Sequence, residues 1–189
     1  MATEPNQRLT IVEYLAIGRA SELKHEYLDG EMFAMTGASW QHNRIALNTA
    51  FGLDTQLKKR GCQVFGLEMR VRTPDDLFTY PDVVVVCGQP QFQDKEADTL
   101  LNPKLIIEVL SRSTKGYDRG QKFARYRTIP SLTEYALLEQ QRVHVERFSR
   151  QADGDWASYE ASGLASVLEL PSIGCTLALS DIYDRVFET

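Results

Sequence analysis

No run of apolar residues in this sequence approaches the roughly 20 that a membrane helix needs, and MATEPNQRLT at the start has no hydrophobic signal segment. A cytoplasmic protein without membrane contact is therefore the expectation. Cysteine is scarce: Cys62, Cys87 and Cys175 lie far apart with no CxxC spacing, which excludes a disulfide framework or a zinc ribbon and leaves buried or idle thiols. Histidine is equally scarce, and His25, His42 and His144 lack metal-ligand spacing, so they are read as ordinary polar or core side chains. There is no internal repeat and no low-complexity tract. An excess of basic residues is also missing. The net charge of -5 argues against indiscriminate binding to polyanions, which rests on lysine and arginine meeting phosphate.

What is present fits one folded unit over residues 1–189, with 43% hydrophobic residues. Thr10 to Glu13 has the spacing of a capping box and predicts a short helix. Asp29-Gly30 sits between two short alternating runs in KHEYLDGEMFAM, the pattern of a type I′ hairpin. Ser39 can cap a long helix through Lys59, with Ala46, Ala50, Leu53 and Leu57 on one face. Strands are expected at 62–73, 80–87 and 104–111, the last two nearly all apolar, as in a central sheet. The segment 88–103 reads as a loop. A helix over about 119–128, carrying Phe123 and Tyr126 inward, must stop before Pro130. A hairpin over 133–149 and further strands toward the C-terminus complete an α/β or α+β order.

Two acids stand where a dry strand should have none. Asp82 precedes four valines in YPDVVVV, and Glu108 interrupts LIIEVL. A buried carboxylate must be protonated, paired or bound to a cation. If the two strands are neighbours, Asp82 and Glu108 converge, and Mg²⁺ (or Mn²⁺) is the natural cation between two such oxygen donors. The helix beyond SRSTKGYDRG can bring Lys122 to the same place. A buried Glu108–Lys122 ion pair of purely structural meaning is the competing reading. Asp118 could contribute to the site, with a helix N-cap as the preferred reading, and Tyr126 is read as packing.

HEYLDGEM, YPDVVVV, NPKLIIEVLSRST, YDRGQKFARYRTIPSLTEYALL and LPSIGCTLALSDIY together resemble the Uma-type restriction-endonuclease family, a branch of the PD-(D/E)xK nuclease superfamily. The resemblance spans nearly the whole chain. It implies a restriction-endonuclease-like core, a mixed central sheet flanked by helices, with an N-terminal β-hairpin and extra C-terminal strands. It makes Asp82 the PD aspartate and Glu108 the acid of the (D/E)xK element. The lysine position of that element is Leu110 here, and the resemblance implies that its role has migrated to Lys122. Glu26 resembles a further acid of the family's site.

The activity so implied is Mg²⁺-dependent hydrolysis of DNA phosphodiester bonds, with Asp82, Glu108, Lys122 and Glu26 as catalytic residues and Asp82 and Glu108 as metal ligands. From Lys104 to Arg127 seven basic residues face two acids, a local +5 on a chain whose remainder sums to -10. Beside a metal site this island becomes a nucleic-acid rim, with Arg112, Lys115, Arg119 and Arg125 as its contacts; otherwise it is a solvated face. Cutting two strands makes a homodimer the expected assembly. Two other functions remain open: a non-catalytic nucleic-acid-binding or assembly protein on the same fold, and a metal-dependent phosphoesterase for small substrates, which an acidic chain suits.

Overall fold

The computed structural model describes residues 8–35, 37–66 and 68–187. Helix α1 (Ile11–Ala20) begins at the expected capping box, with the Thr10 hydroxyl accepting from the Glu13 amide. Strands β1 (His25–Leu28) and β2 (Glu31–Ala34) form the hairpin, with Asp29 at φ 51° and Gly30 at φ 89°, the positive pair that a type I′ turn requires. Helix α2 (Trp40–Leu57) is capped by Ser39 and ends at Lys58, just ahead of Lys59 at φ 69° and Gly61 at φ 70°.

A six-stranded mixed sheet forms the centre, in the order β11 (Trp156–Ser162), β10 (His144–Arg150), β9 (Glu134–Glu139), β8 (Leu105–Leu110), β6 (Val83–Cys87) and β3 (Cys62–Gly66). All pairings are antiparallel except β8 with β9. That parallel step needs a crossover, and the helical segment 115–126 supplies it. The segment runs as α3 (Lys115–Tyr117), a π-helical stretch (Asp118–Lys122) and α4 (Phe123–Tyr126). It starts four residues earlier than the sequence predicts.

Because strand side chains alternate, the central strands are buried on both faces by different partners. Val83, Val85, Leu105 and Ile107 pack under α2 against Ile45, Leu53 and Leu57, together with the C-terminal hairpin β12 (Val167–Leu170) and β13 (Cys175–Ala178) and helix α5 (Leu179–Ile182). Val84, Val86, Ile106 and Leu110 face the crossover, against Phe123, Tyr126, Ile129 and Tyr135. A second sheet, in the order β2-β1-β5-β4-β7, adds β4 (Arg70–Arg72), β5 (Phe78–Thr79) and β7 (Thr99–Leu100), and packs α1 over Tyr27 and Phe78.

Three local expectations are corrected. The single strand over 62–73 is two strands in different sheets, because the chain leaves the central sheet after Gly66 and re-forms pairs at Arg70 with β5 and β7. The loop 88–103 holds the short strand β7. Cys62 and Cys87 are not idle: they are opposite partners at the end of the β3–β6 ladder and are joined as a disulfide, while Cys175 is a buried thiol. Among the described residues no helix is long and apolar enough to cross a membrane.

Leu53 is fully buried between α2 and the sheet. Leu53→Ala should cost about 2–5 kcal/mol, read as a lowered urea midpoint at unchanged slope.

Candidate active site

The β6–β8 register answers why an acid precedes the valines. Val83 pairs with Ile107, Val84 with Ile106 and Val85 with Leu105, so one step further along the ladder Asp82 meets Glu108. Both also share the face of Val84 and Ile106, the side toward the crossover. Asp82 is 8% exposed and Glu108 5%. Asp82 is tied down twice: Oδ2 accepts from the Val109 amide at 2.7 Å, and Oδ1 lies 2.8 Å from His42 Nε2. The first bond extends the sheet by side chain where the backbone ladder ends. The second anchors the N-terminal turn of α2, whose cap Ser39 also accepts from the His42 amide.

The crossover brings the ammonium. Lys122 is buried, with Nζ 2.9 Å from Glu108 Oε1, 3.3 Å from Glu26 Oε1 and 3.7 Å from Asp118 Oδ1. The Tyr126 hydroxyl donates to the same Glu108 Oε1 at 2.8 Å. Glu26 arrives from β1, where the Thr79 hydroxyl of β5 donates to it, so the second sheet contributes one acid to the first sheet's site. Leu110 shares Glu108's face but is buried in the core, and no ammonium could take its place without entering apolar packing.

Burial pushes the Glu108 carboxyl up to about 8, with Lys122 opposing and the Asp82 and Asp118 charges adding to the rise. Burial raises Asp118 too. Burial alone would lower Lys122, but Glu108, Glu26 and Asp118 outweigh it and hold the side chain as an ammonium well above its ordinary range. Three carboxyl groups thus share one ammonium, with Asp82 adjoining them, and the raised Glu108 makes up the balance by holding its proton.

Glu26, His42, Asp82, Glu108, Asp118 and Lys122 all line one open cleft of about 790 Å³. All four proposed catalytic residues therefore come together. Among the described residues, no three His, Cys, Asp or Glu side chains are grouped so as to hold a metal ion by themselves. Two carboxyl groups adjacent on the ladder and lining an open cleft nevertheless fit Mg²⁺, which takes oxygen donors and commonly keeps one or two carboxylates while water and substrate phosphate complete its shell.

The rim divides. Arg112 lines the cleft and Lys115 is exposed beside it. Arg119 instead pairs with Glu139 and Glu146, tying the crossover to β9 and β10, and Arg125 pairs with Asp75 and Asp29. Sequence reasoning set His42 aside as an ordinary histidine, preferred a cap to a site role for Asp118, and read Tyr126 as packing. For the last two a signal existed, since Asp118, Lys122 and Tyr126 recur every four residues on one helical segment. Asp118 is buried in the π stretch and is not the N-cap that the sequence suggests. His42 had no such signal, because its contact with Asp82 spans forty residues.

Glu108 carries a pH signature. Its folded pKa lies above the ordinary 4.5, so the unfolded chain releases this proton first and stability falls as pH rises from about 4.5 to about 8. Glu108→Gln keeps an acceptor for Tyr126 without that titration. In chelator, its stability should gain on the wild type across this window by on the order of 1 kcal/mol per pH unit crossed, read as a melting temperature that falls less as pH rises; a constant offset in parallel melts would show that Glu108 titrates normally.

Comparisons with known proteins bear on the fold and the family. A solved structure described as "a putative nuclease belonging to DUF820 from Anabaena variabilis" superposes with a TM-score of 0.77 over 95% of this chain and 99% of that one, at 17% identity, which shows a shared fold. Two uncharacterised proteins of Synechocystis sp., sll1609 and slr1290, are 36% and 35% identical over 170 and 183 residues, covering 89% and 95% of this chain and 96% and 93% of their own lengths. The family model Uma2, described as "Putative restriction endonuclease", matches residues 11–180, and the chain belongs to that family.

Proposed function

We propose that this protein is a metal-dependent endonuclease that hydrolyses DNA phosphodiester bonds at the Asp82–Glu108–Lys122 cleft. The observation that carries the reading is the convergence of two sheet-borne carboxylates and a buried ammonium on one side of one cleft, with Lys122 Nζ 2.9 Å from Glu108. A divalent cation held by Asp82 and Glu108 would polarise a phosphoryl oxygen and lower the pKa of a bound water.

The chain's own groups do the rest. The Val109 amide and His42 fix both oxygens of Asp82, and Tyr126 and Lys122 fix Glu108, so the donors are oriented before substrate arrives. The surrounding acids favour the ammonium form of Lys122, which suits it to stabilising charge on the pentavalent phosphorus better than to acting as the base. Arg112, which lines the cleft, would receive the backbone of the bound strand. The pairing of Arg119 and Arg125 with carboxylates favours a second reading, a phosphoesterase for small substrates that needs few phosphate contacts.

With Mg²⁺ or Mn²⁺ the purified protein should cut single-stranded, duplex or supercoiled DNA and stop on addition of chelator. Lys122→Met should lose about 100-fold or more in rate while binding Mn²⁺ in calorimetry as the wild type does. Asp82→Asn should lose the metal; Asp82→Ala is a poorer probe, since it strands the Val109 amide at a cost of about 1–3 kcal/mol. Equal residual rates in wild type and Lys122→Met would leave a non-catalytic binding protein, and turnover of small phosphodiesters but not DNA would leave the second reading.

A further inference from the structure

Helix α2 presents a solvent face that its own chain leaves uncovered. Trp40, Leu47 and Phe51 are 61%, 60% and 72% exposed, although α2 is otherwise packed along the sheet. With Arg44, Asp54 and Lys58 they form one stripe, at successive spacings of four, three, four, three and four residues. Alternating fours and threes are the pattern of a helix seam that packs against another helix. Among the described residues no ion pair engages Arg44, Asp54 or Lys58, so the stripe's charges are not spent within the chain.

We infer that this stripe is the interface of a two-fold homodimer in which α2 packs antiparallel against α2 of a second copy. The argument is self-complementarity. A two-fold interface requires that if one residue meets a second, the second meets the first. Read in order, the stripe is aromatic, cation, apolar, apolar, anion, cation. Laid antiparallel on itself, Leu47 meets the partner's Phe51, Arg44 meets the partner's Asp54, and Trp40 meets the partner's Lys58. The centre is apolar, the next layer is an opposite-charge pair on both sides, and the ends place an ammonium over an indole. In a parallel pairing every residue would meet its own kind: Arg44 would face Arg44, Asp54 would face Asp54 and Lys58 would face Lys58. The charge order thus selects both the partner and its direction.

The arrangement bears on the cleft without depending on its chemistry. Ser39 and His42, at the N-terminal end of α2, line the cleft. The antiparallel partner would carry its run of three cations, Lys58, Lys59 and Arg60, toward that end. Each cleft would then gain basic surface from the other copy, where its own Arg119 and Arg125 are neutralised.

Sedimentation equilibrium at tens of micromolar protein should give twice the monomer mass of 21.4 kDa. Arg44→Asp and Asp54→Arg, each placing like charges across the seam, should weaken association by roughly 100-fold, and the double exchange should restore it to near wild type. Phe51→Asp should yield a monomer. All three positions lie off the core, so circular dichroism melts of the diluted variants should match the wild type. A monomeric wild type, single exchanges that leave the dimer intact, or a double exchange as dissociated as the singles would each overturn the proposal. Because none of these readouts uses metal or nucleic acid, failure here is distinct from failure of the nuclease reading.

Discussion

Everything about this site follows from one constraint: a carboxylate in the middle of a strand buried on both faces must be compensated. Removing a carboxylate from water costs several kcal/mol even after the protein relaxes. Glu108 meets that cost with the Lys122 ammonium and the Tyr126 hydroxyl, both delivered by the crossover between β8 and β9. The same crossover buries Phe123 and Tyr126 against the sheet, so the packing that stabilises the fold also aims the cation. Glu26 and Asp118 crowd the same ammonium, and the balance is met by the proton that burial keeps on Glu108. A structural ion pair needs only one acid; in the proposed reading a divalent cation would take the place of that proton.

Asp82 shows the complementary economy. It is held by a backbone amide of the neighbouring strand and by a histidine from the helix on the opposite face, so it closes the ladder, anchors α2 and faces the cleft at once. A residue with three tasks resists substitution for more than one reason, and loss of function at Asp82 is a poor guide to which task failed.

Much of this was legible in the sequence because it was local or periodic. The hairpin, both helix caps and the two all-apolar strands were dictated by turn chemistry and alternation, and the two acids stood out because they broke that alternation. What escaped was of two kinds. The break after Gly66 depends on which sheet each half of the segment joins, a tertiary choice that alternation cannot express. The Asp82–His42 contact, the cysteine pairing of β3 with β6 and the carboxylate partners of Arg119 and Arg125 depend on three-dimensional neighbours far apart in the chain. The basic island was a correct count, but half of its four expected phosphate contacts turned out to pair with acids.

The wide π turn from Asp118 to Lys122 has a consequence for how this site is traced in other proteins. Such a turn holds one residue more than a regular helical turn, and it occurs mostly as a single turn set into an α-helix. The direction in which Lys122 projects therefore depends on how many residues precede it in the turn, as well as on its identity. A relative with an ordinary helix here would have to carry its ammonium at a shifted position to reach the same acid. In an alignment without a gap, such a lysine would look lost when it had only moved. The group is better followed through its reach to the strand acid than through its column.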